Sequence, residues 1–133
     1  MMRLVSCRHA VAGLILGLVI LAGCGSEEKL YRVSGTVTYN GQPIPKGLIF
    51  FDPDVTKGTT GPQGFANILD GKYDTAEMGK GVRGGAYVIR VNGYDGKPAY
   101  EAPFGQPLFP EYTCTKDLPK EDSTFDVNVP KVR

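Results

Sequence analysis

Histidine, cysteine and clustered carboxylates are the side chains with which a chain of this size most readily does chemistry. The only histidine, His9, lies in a basic N-terminal segment that precedes an apolar run. Without that segment, the chain lacks the commonest general base and metal ligand. Ser-His-Asp and Cys-His catalysis and histidine-based zinc sites are then excluded, so the composition argues against an enzyme.

The acidic residues leave two further chemistries open. A carboxylate pair can hydrolyse glycosides, but the chain has no tryptophan with which to grip a sugar ring. Four aspartates near predicted strand ends offer oxygen ligands for calcium. Because they lack the spaced Asp-x-Asp-x-Asp-Gly loop, turn chemistry is the preferred interpretation, and no metal or cofactor is expected. The four are Asp52, Asp54, Asp70 and Asp74.

A cysteine, Cys24, stands where the composition of the chain changes. Before it come a basic segment over 1–9, without an acidic residue, and an apolar run over 10–22. As a helix that run would rise only about 20 Å, short of the ~30 Å hydrocarbon core of a bilayer. A charged segment, a short apolar run and small residues together indicate a secretory signal, with a buried or spanning helix as the alternative.

The stretch Leu21-Ala22-Gly23-Cys24 resembles the lipobox of bacterial lipoproteins. The resemblance implies cleavage after Gly23 and a lipid on the sulfur of Cys24, whose thiolate is the nucleophile. We therefore expect a signal peptide over 1–23, a tether over 24–30 and one domain over 31–133. The expected location is the cell envelope, with the chain anchored to a membrane and facing the periplasm or the cell surface.

Charge and cysteine content bound the rest of the chain. Once Arg3 and Arg8 leave with the signal, thirteen basic residues face fourteen acidic ones, which does not favour a nucleic-acid partner. Cys114 is then the only thiol besides Cys24, so no internal disulfide is expected. We expect Cys114 to be a small buried residue before a strand, although pairing between molecules stays open.

Apolar residues that alternate with polar ones predict the strands that carry these groups. Tyr31, Val33, Val37 and Tyr39 fall on one face of a strand that ends at an Asn-Gly turn over 40–41. The same alternation covers 86–94 and 124–130, and 64–75 is predicted as a strand, an Asp-Gly turn and a second strand. The run over 47–53 is apolar on both faces, which indicates a central strand. Short strands separated by turn signals predict an all-β sandwich or barrel.

The segment over 33–53 resembles the opening of carboxypeptidase regulatory-like domains, and motifs at 70–73, 85–89 and 110–112 resemble their later half. The resemblance implies a transthyretin-like or immunoglobulin-like sandwich of seven strands. It also implies a non-enzymatic binding or structural module without catalytic residues. The alternative is an accessory subunit that binds carbohydrate or peptide for an envelope enzyme or transport system. The residues that carry the first motif are Val33, Gly35, Val37, Gly41, Pro43, Gly47, Ile49, Phe51 and Pro53.

Two segments are left over as candidate ligand sites. The region 95–123 contains five prolines and four aromatic residues, which is too long and too aromatic for a simple linker. We expect an ordered loop over 96–118, in which Phe109 and Tyr112 pack on the sandwich. All four aromatic residues, Tyr100, Phe104, Phe109 and Tyr112, are candidate binding residues. Tyr100 and Phe104 are the better candidates for an exposed surface that contacts an envelope protein or polysaccharide. The segment 80–85 is interpreted as a solvated hairpin, with an anion site around Arg83 as the alternative.

Overall fold

The computed structural model describes residues 28–133, so the predicted signal peptide and Cys24 lie outside the described residues. The described part contains ten strands, one 3₁₀ turn at Val55–Lys57 and no α-helix. Within it, no helix is long and apolar enough to cross a bilayer. The strands are β1 (Val33–Tyr39), β2 (Gln42–Pro43), β3 (Lys46–Pro53), β4 (Gly64–Leu69), β5 (Lys72–Asp74), β6 (Gly79–Lys80), β7 (Gly85–Tyr94), β8 (Tyr112–Leu118), β9 (Ser123–Thr124) and β10 (Val127–Val129).

Seven of these strands form one curled path in the order β10-β1-β5-β4-β3-β7-β8. The remaining three, β2, β6 and β9, have two residues each and pair beside that path. Pairing is antiparallel, except that β9 and β10 run parallel to β1. The predicted all-β class is confirmed, and β3 is central as predicted because it pairs with both β4 and β7.

The core is built from the inward residues of the alternating strands. Tyr87, Ile89 and Val91 of β7 are fully buried, as are Val33 and Val37 of β1. Each such side chain stabilises the fold by roughly 1.5–3 kcal/mol because its apolar surface leaves water. The alternation in the sequence therefore identified the buried face of both strands.

The two predicted turns join adjacent strands in the way their sequences require. Asn40 and Gly41 have φ of 51° and 77°, and Asp70 and Gly71 have φ of 50° and 75°. Positive φ at both central residues is typical of the hairpin turn whose twist matches the flanking strands. The first turn pairs β1 with β2, and the second pairs β4 with β5.

The single strand predicted over 124–130 is divided into β9 and β10. At the break, Asp126 accepts hydrogen bonds from the backbone N–H and the hydroxyl of Thr36, at 2.8 and 3.0 Å. The side chain thus takes the place of a ladder bond. A Cβ at Gly35 would lie 2.2 Å from the carbonyl oxygen of Phe125, so two backbone segments approach each other closely at that glycine.

Strand β8 lies within the segment that the sequence indicated as a loop. It pairs with β7 over seven residues, including Tyr112 and Cys114. Lys116 interrupts its apolar alternation, and β8 is an edge strand with one neighbour, so much of it stays exposed. Cys114 therefore lies inside a strand rather than before one. It faces the core opposite Ile89 and is half-buried.

The strand directions define two ends of the sandwich. β1, β4 and β7 run the same way, because each antiparallel neighbour reverses the direction. We call the end where they begin the tether end; it holds 28–32, 54–63, 81–84 and 119–122. The end where they finish is the loop end, which holds 40–41, 70–71 and 95–111. Ten residues of β7 separate the two ends by about 30 Å.

Candidate binding site

The aromatic loop, residues 95–111, is an irregular hairpin held together by its own backbone. The Asp95 N–H donates to the Gln106 carbonyl, and the Gly96 N–H donates to the Phe104 carbonyl, both at 3.0 Å. Nearer the tip, Ala99 and Ala102 exchange two N–H···O bonds of 3.0 Å. These bonds give the segment the defined conformation that its prolines and aromatic residues predicted.

The tip of the hairpin consists of Tyr100 and Glu101. Tyr100 is 94% exposed, the most exposed large hydrophobic side chain among the described residues. Glu101 has φ of 61°, a left-handed conformation that costs an L-residue roughly 1–2 kcal/mol. A tight two-residue turn thus projects the tyrosine ring into solvent.

Asp95 fixes the base of the hairpin from one strand end. Its Oδ1 accepts the backbone N–H of Lys97 at 2.9 Å and that of Gln106 at 3.2 Å, which joins both arms. Gly105 has φ of 92°, and a Cβ there would lie 1.8 Å from the same oxygen. Only glycine leaves the carboxylate room to reach both donors, a constraint that the sequence did not reveal.

Phe109 joins the aromatic loop to the core. It is 6% exposed, and its ring lies 4.9 Å from that of Tyr39 at the end of β1. A Cβ at Gly93 would meet two ring atoms at 2.8 Å, so the glycine makes space for the phenylalanine. The predicted packing of Phe109 is confirmed. Tyr112 also packs against the core, but it does so from β8.

Phe104 and Tyr100 border an open groove on the aromatic loop. The Phe104 side chain is 45% exposed, and its ring leans on Tyr94 at 5.8 Å. The groove has a volume of about 460 Å³, and its lining also includes Pro103 and Pro107. Of the four aromatic residues predicted as a site, the structure brings Tyr100 and Phe104 to this surface. Phe109 instead lies in the hydrophobic core, and Tyr112 packs against that core.

A polar cluster that the sequence did not predict lies on the outer face of the sheet. The Arg90 Nε contacts Asp52 at 2.5 Å, and its Nη1 contacts Glu111 at 3.3 Å. The guanidinium also lies 4.8 Å from the centre of the Phe50 ring. The outward position of Arg90 was predictable from the alternation of β7. Its partners depend on the register with β3 and on the base of the aromatic loop.

The pKa values in this cluster oppose acid–base catalysis. Burial alone would raise the pKa of Asp52, but hydrogen bonds from Arg90 and Gln63 outweigh it and hold that pKa below its usual range. The hydrogen bond to Asp52 likewise raises the pKa of Arg90. Asp52 therefore stays ionised and Arg90 stays protonated near neutral pH, so neither group is suited to donate a proton there.

The other three aspartates considered as calcium ligands have local structural roles. Asp54 caps the 3₁₀ turn by accepting the Thr56 N–H at 3.1 Å, and Asp70 occupies its predicted turn. Asp74 pairs with Arg32, whose hydrogen bond lowers the pKa of the carboxyl. Over 28–133, no three His, Cys, Asp or Glu residues meet as a metal site would require. The expectation that the protein needs no metal stays a prediction.

Comparison with known proteins gives a structural similarity but no family and no activity. No family model and no curated protein matches it. A crystal structure of a DUF3823 family protein from Parabacteroides merdae is similar at 18% identity and a TM-score of 0.37. The match covers 74% of this chain and 44% of that one, so this chain spans less than half of that protein's length. The all-β fold of 28–133 rests on its own strand pairing.

Proposed function

We propose that this chain is a lipid-anchored, non-enzymatic binding module of the bacterial cell envelope, which holds a protein partner through Tyr100 and Phe104. Membership of the carboxypeptidase regulatory-like group is part of the proposal and rests on the sequence motifs. The observation that carries it is an almost fully exposed tyrosine at the tip of an internally hydrogen-bonded hairpin.

Exposure on a fixed support is what favours recognition over packing. Large aromatic side chains usually bury their rings, and an exposed one on an ordered loop offers a partner apolar area at little entropic cost. Phe104 and the prolines beside it extend that area along the groove. Tyrosine is among the residues that most often dominate binding energy at protein interfaces.

The position of the aromatic loop agrees with a lipid anchor at Cys24. Tyr31 is fixed to the domain at the tether end, where its N–H donates to Val82 at 2.7 Å and its carbonyl accepts the Val82 N–H at 3.0 Å. An anchor seven residues before Tyr31 therefore holds the tether end near the bilayer. The loop end then faces away from the bilayer, where a partner can reach it.

The proposed lack of a catalytic role is supported by the lowered pKa of Asp52, whose carboxylate pairs with Arg90. Asp52 and Glu111 share Arg90, and the pKa of Asp52 is lowered rather than raised. A glycosidase needs one carboxyl group with a raised pKa as its acid. His9, the only histidine, belongs to the expected signal peptide.

A polysaccharide partner is the second candidate, and the lining of the groove favours it. Three aromatic residues border the groove together with the polar side chains of Glu101 and Gln106; they are Tyr94, Tyr100 and Phe104. Rings beside carboxylate and amide groups can stack a sugar and bond its hydroxyls. The chain would then serve as an accessory subunit for an envelope enzyme or transport system.

Crosslinking on intact cells tests the binding role. We expect wild-type protein to form a discrete adduct that disappears in the double variant Tyr100→Ala/Phe104→Ala at unchanged melting temperature. Val55→Ala is the matched control, because Val55 is 74% exposed at the opposite end. Protease sensitivity of the crosslinked partner identifies a protein, and resistance identifies a polysaccharide. An adduct of equal yield in the double variant contradicts the proposal.

Detergent partition tests the anchor separately. Wild-type protein is expected in the detergent phase without residues 1–23, and Cys24→Ser is expected uncleaved or in the aqueous phase. Two or more acyl chains give stable anchoring, whereas one chain gives only marginal binding. Wild-type protein in the aqueous phase with residues 1–23 still attached would contradict the proposed lipid anchor.

A further inference from the structure

A basic cleft lies at the tether end and takes no part in the aromatic loop. Four charged side chains line it, and three of them are the cations Lys29, Arg83 and Lys120. The acid, Glu28, pairs with Arg83 at 3.1 Å. The cleft has a volume of about 430 Å³ and opens to solvent. This local excess of cations stands out because the chain after residue 23 has slightly more acidic than basic residues.

Two glycines near the cleft leave space for the side chains of Arg83 and Lys120. A Cβ at Gly61 would lie 2.5 Å from Cδ of Arg83, and a Cβ at Gly84 would lie 2.8 Å from Cγ of Lys120. Both glycines have positive φ, at 131° and 87°, so other residues would be strained there as well. Arg83 also donates to the Thr60 carbonyl at 3.4 Å. The fold therefore leaves space for two long cationic side chains that line the same cleft.

The length of the tether limits how far the cleft can lie from the membrane surface. Lys29 is only five positions after Cys24, a span of at most about 18 Å when fully extended. Lys29 is in turn two residues before Tyr31, which the domain fixes through its bonds to Val82. A lipid on Cys24 would therefore bring the cleft to within roughly one or two Debye lengths of the headgroups.

We infer that the basic cleft binds the phosphate groups of anionic lipid headgroups in the membrane that holds Cys24. Ammonium and guanidinium groups are the donors that recognise phosphate, and the attraction acts only close to the surface. The contact fixes the tilt of the domain and keeps the aromatic loop pointing outward. This inference rests on the proposed lipid anchor and goes beyond it, since an anchor alone keeps the tether end near the bilayer without fixing the tilt of the domain.

Lysine footprinting on the full lipidated protein tests the inference. The protein is placed in vesicles of phosphatidylcholine alone or with phosphatidylglycerol, and acetylation of each lysine is followed by mass spectrometry. We expect Lys29 and Lys120 to react roughly threefold or more slowly on the anionic vesicles, with protection lost at high salt. Lys46 and Lys97 at the loop end should react equally on both vesicles.

A pair of double variants separates the cleft from general charge. Arg83→Gln/Lys120→Gln should abolish the protection of Lys29, whereas the matched Lys46→Gln/Lys97→Gln should preserve it. Equal melting temperatures establish that both variants are folded. Equal reactivity of Lys29 and Lys120 on neutral and anionic vesicles would overturn the inference.

The mass of the Cys24 peptide from the same samples reports whether the natural anchor exists. If the cysteine carries no lipid, the mature chain is coupled through Cys24 to a maleimide lipid and the footprint is repeated. Protection that depends on Arg83 and Lys120 then supports the cleft although the natural anchor has failed. Its absence overturns the cleft as well.

Discussion

The two ends of this sandwich are built from connections between the same strands, yet their chemistry differs. The loop end carries aromatic residues and prolines on a hairpin, with Tyr100 at the tip. The tether end carries lysine and arginine around positive-φ glycines such as Gly61 and Gly84. An apolar, shaped surface suits one specific partner, whereas flexible cations suit a charged surface without a defined shape.

Different residues of the aromatic loop support the binding surface and form it. Within the aromatic loop, Phe109 is buried against Tyr39 while Tyr100 contacts little of the domain. Stability and recognition should therefore respond to different substitutions in one continuous segment. Substitutions of single residues in this segment can therefore test stability and recognition separately.

Removing the Phe109 ring, which holds the aromatic loop to the core, should have the largest effect on stability. We expect Phe109→Ala to lower the free energy of unfolding by about 3 kcal/mol, because it leaves a cavity beside Tyr39 and Gly93. Urea denaturation measures this. The matched change Phe104→Ala should cost less than about 1 kcal/mol, since that ring is half-exposed. Equal losses for the two variants would contradict the division between support and surface.

Removing the carboxylate that joins the arms of the hairpin should have a smaller effect. Asp95→Ala leaves the N–H groups of Lys97 and Gln106 without their side-chain acceptor and should cost about 1 kcal/mol. Hydrogen exchange should accelerate for both amides while the amides of β7 stay protected. Lys97→Ala is the control. Unchanged exchange in Asp95→Ala would mean that the backbone bonds alone hold the aromatic loop.

The ion pairs of Asp52 with Arg90 and of Asp74 with Arg32 predict a decline of stability in acid. The folded-state pKa values of Asp52 and Asp74 are lowered, so their pairs with Arg90 and Arg32 contribute fully above the ordinary aspartate pKa of about 4. The contribution is lost as pH falls through the lowered values. Thermal melts from pH 7 to pH 2 should show a weaker decline in Asp52→Asn/Asp74→Asn. Parallel curves for the variant and the wild type would contradict it.

Relieving the turn at the tip should have the smallest effect on stability. Glu101→Gly removes the left-handed strain of an L-residue but adds the backbone freedom of glycine to the unfolded chain. The net gain should be at most about 1 kcal/mol, read from the same denaturation curves. A loss of stability would show that the Glu101 side chain makes a favourable contribution that exceeds its backbone strain.

Sequence patterns located most of the fold because local chemistry determines it. The alternation in β1 and β7 and the Asn-Gly and Asp-Gly turns depend on neighbouring residues alone, and each appears where it was predicted. Strand β8 was missed because an edge strand buries little and tolerates Lys116. The break between β9 and β10 depends on Asp126 reaching Thr36, a contact across ninety positions that no local pattern encodes.

The candidate site was predictable in composition but not in geometry. Aromatic content and prolines indicated an ordered loop over the right segment, and Phe109 packs as expected. The hairpin pairing, the double acceptance by Asp95 and the direction of Tyr100 depend on where β7 ends relative to Gln106. The cluster around Arg90 likewise follows from register between strands.

Site-specific photo-crosslinking in living cells tests the central claim most directly. A photoreactive phenylalanine derivative is placed at position 100, at the tip of the aromatic loop, and in a matched strain at position 55 at the tether end. A discrete partner adduct is expected from position 100, and none of the same mass is expected from position 55. Equal adducts from both positions, or an adduct from position 55 alone, would contradict the assignment of recognition to the aromatic loop.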